Sequence, residues 1–243
     1  EQITLTHTGN IQCSNCGRAS RKSYSQGYCY PCFKKLPQCD LCMMSPERCH
    51  FSEGTCRDDT FAESFCMQPH IVYLANSSGI KVGITKLNQI PTRWIDQGAV
   101  QGMPLLRTQS RQIAGFLEVM IKQHISDKTQ WQKMLKSEDI YIDLIAERRS
   151  LLEKIDGGFD SLRQKFGETA FELIPEQAVT EIQYPVDFYP TKVVSLSFDK
   201  TQEVSGLLVG VKGQYLIFDT GVINMRRFSS YEIEFTQQQR SLF

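Results

Sequence analysis

Four cysteines near the start of the chain have the spacing of a tetrahedral zinc site. They form two Cys-x-x-Cys pairs, Cys13 with Cys16 and Cys29 with Cys32, separated by twelve residues. A Cys-x-x-Cys turn places two thiolates about 2.3 Å from one ion, and a second pair completes the tetrahedron. A disulfide framework is the alternative, but the odd number of nine cysteines and the doubled pairs favour zinc.

A second group of potential metal ligands follows, and the sequence leaves its ligand set open. Cys39 and Cys42 form a third Cys-x-x-Cys pair. More candidates than a tetrahedral site needs come after this pair: Cys49, His50, Cys56 and Cys66. His70, at the start of an apolar segment, is explained as well by a structural histidine as by a ligand. We predict a second structural zinc ion whose ligands come from this pool.

The segment between Ile11 and Gln38 combines basic and aromatic residues and contains no Asp or Glu. Its basic residues are Arg18, Arg21, Lys22, Lys34 and Lys35. Its aromatic residues are Tyr24, Tyr28, Tyr30 and Phe33. This combination on a zinc module is typical of a nucleic-acid-binding surface. The alternative is that the aromatic rings form the small core of the module.

The elements that follow alternate between strand and helix patterns. Residues 71–85 contain two apolar runs around the turn residues 76–79, which predicts a β-hairpin. Residues 89–98 predict a short helix that ends at Gly98. Apolar residues at helical spacing predict a long helix over 109–136. A further helix is predicted to be capped by Ser137 and to end at Gly157-Gly158.

Two motifs of the hairpin resemble the paired motifs of the GIY-YIG nuclease superfamily. Ile71-Val72-Tyr73 resembles the first motif, although Ile71 replaces its glycine. Lys81-Val82-Gly83-Ile84-Thr85 resembles the second motif in the divergent branch that reads K-[IV]-G-x-T, with Lys81 in place of the second tyrosine. Arg93 in the next helix and Glu118 in a later helix match the family's arginine and glutamate in order and rough spacing.

The resemblance implies an α/β nuclease-like core and a role for each matching residue. Tyr73 would orient or deprotonate the attacking water, and Arg93 would bind the scissile phosphate. Glu118 would hold a divalent ion such as Mg²⁺ or Mn²⁺, and Lys81 would add positive charge at the phosphate. Taken singly, three of these residues are better explained by structural roles: Tyr73 as a core aromatic in a strand, Arg93 as a solvated helix residue and Glu118 as a carboxylate on a helix flank.

The whole chain is also similar to an uncharacterised bacterial family. The similarity is carried by the cysteine-rich head and by three segments that read SSGIKVGIT, RWIDQG and KGQYLIFDTGVIN. It implies no specific activity.

The last 60 residues change in character to short apolar runs punctuated by glycine. Strands are predicted at Lys192–Phe198, Ser205–Val211, Gln214–Asp219 and Tyr231–Phe235. Four or five such strands are typical of a small antiparallel β-barrel of the OB or SH3 type. The tail's candidates for nucleic-acid contact are Lys212, Tyr215, Arg226 and Arg227. An interdomain packing role for this barrel is the alternative.

The charge distribution favours a polyanionic partner for the central segment. The chain has 27 basic and 27 acidic residues. Residues 71–136 contain nine basic and three acidic residues, and residues 137–190 contain five and twelve. A neutral total therefore combines a core of net charge +6 with an acidic segment of net charge −7.

The sequence shows no run long enough for a transmembrane helix and no signal peptide. We expect no membrane association and a cytoplasmic location. The sequence has no initiator Met, so residues can be missing before Glu1.

Together these features predict an α+β multidomain protein. Its segments are a zinc-ribbon-like head (1–69), a GIY-YIG-like α/β core (70–136), an acidic helical segment (137–183) and a small antiparallel β-barrel (184–243). We predict a zinc-containing protein that binds DNA or RNA on a GIY-YIG nuclease-like scaffold. If it is an enzyme, the predicted reaction is metal-dependent hydrolysis of phosphodiesters. The alternative is a non-catalytic zinc adaptor or scaffold that binds nucleic acid or a protein partner.

Overall fold

The fold is mixed α/β and contains two antiparallel sheets. The computed structural model describes residues 1–125, 130–136 and 140–238. These residues form two compact units. The first contains mainly residues 1–39 and 184–238, and the second mainly residues 40–125, 130–134 and 140–183.

The described residues contain ten strands and six α-helices. The strands are β1 (Gln2–Ile11), β2 (His70–Asn76), β3 (Ile80–Thr85), β4 (Gln101–Thr108), β5 (Phe171–Leu173), β6 (Thr180–Glu181), β7 (Glu203–Lys212), β8 (Tyr215–Phe218), β9 (Gly221–Asn224) and β10 (Tyr231–Gln238). The helices are α1 (Tyr30–Lys35), α2 (Asp59–Phe61), α3 (Thr92–Asp96), α4 (Arg111–Lys122), α5 (Trp131–Met134) and α6 (Leu144–Phe166). None of these helices combines the length and apolar character needed to cross a bilayer.

The first unit contains an open sheet, in the order β10-β1-β7-β8-β9. β1 pairs with β10 on one side and with β7 on the other, both antiparallel. Its core is formed by buried side chains from the strands and from two turns: Ile3, Leu5, Phe198, Val204, Phe218, Ile223 and Phe228. The prediction of a barrel in the tail is therefore wrong, because β9 and β10 are edges that do not pair with each other.

The start of the chain supplies β1, an interior strand of this sheet between β10 and β7, so the sheet combines strands from the predicted segments 1–69 and 184–243. Three of the four predicted tail strands are present as β7, β8 and β10. The predicted strand at 192–198 is not a strand. It contributes an isolated bridge between Ser195 and Val222, with the Leu196 N–H donating to the Val222 carbonyl at 2.8 Å.

The second unit contains a sheet in the order β3-β2-β4-β5, with β6 also pairing to β4. Helices α4 and α6 pack on this sheet through their apolar faces. The predicted hairpin is confirmed, because β2 and β3 pair in register from Ile71 opposite Thr85 to Asn76 opposite Ile80. In that register Tyr73 faces Gly83, and Lys81 faces Ala75.

The two long helices differ from the predicted ones in their ends. α4 begins after Ser110, whose side chain accepts from the Ile113 N–H, and it ends at Lys122 instead of continuing to 136. The predicted cap Ser137 lies outside the described residues. α6 is capped by Asp143 and runs through Gly157-Gly158, which were predicted to end it.

Glycine at position 158 allows close packing of two helices. A Cβ added there would lie 2.7 Å from Met120 Cε, on the facing surface of α4. The α6 helix ends at Phe166, and the next residue, Gly167, has a positive φ of 96° and an N–H that donates to the Arg163 carbonyl at 2.7 Å.

Candidate functional site

The first cysteine pair lies in a tight turn directly after β1. The Cys13 N–H donates to the Arg18 carbonyl at 2.9 Å, and the Gly17 N–H donates to the Cys13 carbonyl at 2.8 Å. Gly17 has a φ of +67°, which glycine adopts without steric cost. The second pair lies at the start of α1, where the Phe33 N–H donates to the Cys29 carbonyl at 2.9 Å.

The four sulfur atoms converge in a geometry that fits a tetrahedral metal. The Sγ atoms of Cys13, Cys16, Cys29 and Cys32 all lie within 4.8 Å of one another. Cys16 Sγ and Cys29 Sγ are 3.8 Å apart, and Zn–S bonds of about 2.3 Å in a tetrahedron require about the same separation. The four-cysteine cluster can therefore hold a zinc ion.

The thiols of this cluster differ in acidity. Burial alone raises the pKa of Cys13, but N–H groups of Cys29, Cys16 and Asn15 outweigh it and lower the pKa to about 6. The Asn15 amide donates to Cys32 Sγ at 3.4 Å and lowers the pKa of Cys32, yet burial and the three neighbouring thiols raise it to about 12. Four adjacent thiolates repel one another, so a bound cation is needed to keep all of them deprotonated.

A second cluster contains Asp40, Cys42 and His50, whose ligand atoms also lie within 4.8 Å of one another. Asp40 accepts from the Cys42 N–H at 3.3 Å and pairs with Arg57 Nε at 2.7 Å. Burial raises the pKa of Asp40, but the Cys42 N–H, the His50 ring and the Arg57 guanidinium hold it below its usual range. These oxygen, sulfur and nitrogen ligands can hold a metal ion.

The sequence prediction missed Asp40, which lies with Cys42 and His50 in the second cluster. Cys39 and Cys42 lie in successive short turns, Pro37–Cys39 and Leu41–Met43, instead of one Cys-x-x-Cys turn. Asp40 caps the second of these turns, which directs its carboxylate toward Cys42 and His50. The signal for this ligand was present in the sequence, because Asp40 lies between Cys39 and Cys42.

The other members of the predicted pool lie outside both clusters among the described residues. Cys49 and Cys66 are close enough to Cys42 to help raise its pKa to about 12, after burial, which is the largest cause. Cys56 Sγ donates to the Asp58 carbonyl at 3.6 Å. Their roles as ligands, and that of Cys39, stay predictions.

The segment that contains the second cluster is hydrogen-bonded to, and packed against, the first half of α4. Arg111 donates to the carbonyls of Cys42 and Met43 at 2.8 and 2.7 Å. Gln112 donates to the Cys49 carbonyl at 2.9 Å. A Cβ on Gly115 would lie 2.6 Å from the Glu47 backbone nitrogen, so the helix and the segment touch at this glycine.

Three aromatic rings form a cluster beside the four-cysteine cluster. The centroid of Tyr24 lies 5.4 Å from that of Tyr30 and 5.8 Å from that of Phe33. Tyr30 is 53% exposed, whereas Tyr24 and Phe33 are half-buried. We call these rings and the five basic residues of the same segment the aromatic–basic face.

The basic residues of this face carry uncompensated positive charge. All of them are exposed, and none forms an ion pair with any residue that the structure describes: Arg18, Arg21, Lys22, Lys34 and Lys35. Five positive charges exceed the formal charge of about −2 that a zinc ion with four thiolates carries. The face therefore attracts anions.

Tyr73, the first residue of the predicted nuclease site, is fully buried in β2. Its hydroxyl donates to Gln97 Oε1 at 3.1 Å, and its ring lies against Trp94 with the centroids 6.0 Å apart. Burial raises the pKa of Tyr73; Arg93 and Gln97 lower it, and Glu118 raises it. Tyr73, Arg93 and Glu118 are thus electrostatic neighbours, and Gln97 is a contact that the sequence did not indicate.

The remaining predicted residues of this site differ in their surroundings. Lys81 is directly opposite Ala75, which lies two residues after Tyr73 on β2. Since alternate residues of a strand share a face, Lys81 and Tyr73 lie on the same face of the hairpin. The Glu118 carboxylate pairs with Lys122 at 3.4 Å on α4. Among the described residues, Glu118 is in neither cluster of three or more metal-ligating side chains.

A protein-family model matches residues 1–233, and its description is "Protein of unknown function (DUF2797)". The chain belongs to this family. The match confirms the predicted similarity to a family that spans nearly the whole chain and has no assigned activity. No curated protein and no solved structure matches the DUF2797 chain.

The tail residues proposed for nucleic-acid contact are mostly engaged elsewhere in the DUF2797 chain. Lys212 is only 2% exposed, and its ammonium donates to the Tyr189 hydroxyl at 3.2 Å. Arg227 pairs with Asp199 at 2.7 Å. The prediction of Lys212 as a surface contact is wrong, because β7 directs its side chain toward the rings of Tyr184 and Tyr189.

Proposed function

We propose that this chain is a zinc-containing protein that binds nucleic acid through its first unit. The observation that carries the proposal is the occurrence, in one short segment, of the four-cysteine cluster and five exposed cations without acidic partners. Phosphate contacts by such cations supply most of the free energy of sequence-independent binding. The cluster supports the surface, because a segment with so few aliphatic residues depends on a metal for its folding free energy.

The dependence of binding on charge tests this proposal. We expect the double variant Lys34→Gln/Lys35→Gln to weaken oligonucleotide binding about tenfold. The slope of log affinity against log salt concentration should also decrease, by the amount that corresponds to about one to two phosphate contacts. The double variant Lys192→Gln/Lys200→Gln is the matched control, since both lysines are exposed in the same unit. Fluorescence anisotropy with the full chain at several salt concentrations gives both quantities. Equal binding by the two double variants would contradict the proposal.

We further propose two zinc ions per chain, one in the four-cysteine cluster and one at Asp40, Cys42 and His50. Cys13→Ser and Asp40→Asn are each expected to lower the metal content by one ion, because each removes a ligand from a different cluster. Elemental analysis of the purified full chain measures the content. A wild-type content of one zinc that Asp40→Asn leaves unchanged would limit the proposal to the first cluster.

A nuclease-type scaffold in the second unit is our second proposal. It is supported by the hairpin in which Tyr73 faces Gly83, and by the electrostatic effects of Arg93 and Glu118 on Tyr73. The corresponding activity is phosphodiester hydrolysis, with Mg²⁺ or Mn²⁺ at Glu118.

Cleavage of a panel of DNA and RNA substrates in the presence of Mg²⁺ or Mn²⁺ tests the second proposal. Tyr73→Phe and Glu118→Gln are expected to lower cleavage at least about a hundredfold while oligonucleotide binding persists. Binding without cleavage, the same for wild type and both variants, would contradict it. Salt-insensitive retention of a protein partner without nucleic acid would favour the alternative of a non-catalytic zinc adaptor.

A further inference from the structure

We propose that the nucleic acid bound by the first unit is single-stranded and that its bases stack on the aromatic–basic face. This inference rests on the proposed nucleic-acid binding and adds the strand type and the contact that selects it. The face contains three rings, with centroids 5.4–6.4 Å apart, and Tyr30 offers the most exposed surface.

The four-cysteine cluster fixes the positions of these rings. Tyr30 lies between Cys29 and Cys32 and begins α1, and Phe33 follows one turn later. Tyr24 lies at one end of a tight turn that returns to Tyr28, with reciprocal N–H to carbonyl bonds of 2.8 and 2.9 Å. Because both ring-bearing segments are tied to metal-ligating cysteines, the face is formed before a ligand arrives.

Charge and aromatic surface are combined within one helical turn of α1. Lys34 follows Tyr30 by four residues, so the two side chains lie on the same side of the helix. A nucleotide of a single strand can place its base on the Tyr30 ring and its phosphate near an ammonium group.

A single strand fits this face better than a duplex or a protein. In a duplex the faces of the bases are stacked on one another, so the Tyr30 ring would find only base edges and phosphates. A protein surface would have to supply acidic groups for five cations, and lysine is depleted at the centres of protein interfaces.

Anisotropy titrations of the full chain with labelled oligonucleotides test the inference. The probes are a mixed-sequence single strand, as DNA and as RNA, and the duplex of the same length. We expect single strands to bind at least about tenfold more tightly than the duplex. Tyr30→Leu should weaken single-strand binding about tenfold with an unchanged salt slope, and Tyr30→Phe should bind within about twofold of wild type.

Phe188→Leu is the matched control, because Phe188 is an exposed aromatic residue of the same unit and lies outside the face. Zinc content and thermal midpoint of each variant check the fold. Equal affinity for single strand and duplex, unchanged by Tyr30→Leu, would overturn this inference and leave the proposed function standing. The absence of binding to either form at low salt would overturn both, as would a protein partner lost in Tyr30→Leu when no nucleic acid binds.

Discussion

Gly83 makes room for the buried ring of Tyr73. A Cβ at position 83 would lie 2.5 Å from Tyr73 Oη and 2.6 Å from Cζ, across the pair of strands. Gly102 has the same relation to Trp94, since its Cβ would lie 2.5 Å from Trp94 Cδ2. The glycine of the Lys81–Thr85 motif therefore has a packing role that its resemblance to a nuclease motif did not reveal.

Gly83→Ala is expected to destabilise the protein by about 2 kcal/mol, because the buried ring cannot move away from the added methyl group. Urea unfolding measures the change. The cost should shrink in a Tyr73→Leu background, where the ring is absent. An equal cost in both backgrounds would show that the ring is not its cause.

His70 predicts a pH dependence of stability. It is 2% exposed, and its Nδ1 is 2.8 Å from the Gln68 carbonyl. Burial, which is the largest cause, and the positive charges of Arg111 and Lys86 lower its pKa to about 4, although the Gln68 carbonyl raises it. Because the unfolded state then binds a proton more readily, the stabilisation is complete above about pH 6.5 and is lost as the pH falls toward 4.

The expected loss over this window is at most about 3 kcal/mol. His70→Gln keeps a polar side chain without a titrating group and should therefore flatten the acid limb of a plot of unfolding free energy against pH. Acid also protonates the thiols and releases metal, in the wild type and in His70→Gln alike. The difference between the two curves of unfolding free energy against pH therefore isolates the effect of His70. Parallel curves would contradict the prediction.

At the scale of elements, local turn signals were predictable and helix ends were not. The turn at 76–79 is where the sequence placed it, because Asn and Gly favour turns through their own backbone preferences. The end of α6 was predicted too early. The role of Gly158 depends on Met120 of another helix, and no local pattern reports that contact.

Gly157 gives a direct test of the uninterrupted α6. Its added Cβ would meet no atom within 4 Å, and it is exposed in the middle of the helix. Gly157→Ala should therefore raise the free energy of unfolding by about 1 kcal/mol. Gly167→Ala, at a φ of +96°, should lower it by about the same amount. Thermal or urea unfolding distinguishes them, and destabilisation by Gly157→Ala would mean that the helix ends there.

At the scale of the whole molecule, the first strand pairs with strands from the last part of the described chain. β1 pairs with β7 and β10, and these pairings join residues about 200 positions apart in the sequence, such as Gln2 with Leu207. Nothing local in the sequence specifies such a pairing, and the linear division into head and tail was drawn without it. The four-cysteine cluster was predictable, because metal geometry imposes its spacing on the sequence itself. Asp40 was not, because its place depends on His50 and Arg57.

The most direct test of the central claim is zinc-dependent binding of a labelled single-stranded oligonucleotide by the full chain. Affinity is measured with zinc present, after chelation, and after zinc is restored. We predict that chelation weakens binding about tenfold or more, because the aromatic–basic face loses the four-cysteine cluster that fixes it, and that zinc restores it. Equal affinity in all three states, with complete removal of zinc verified by elemental analysis, would contradict the account.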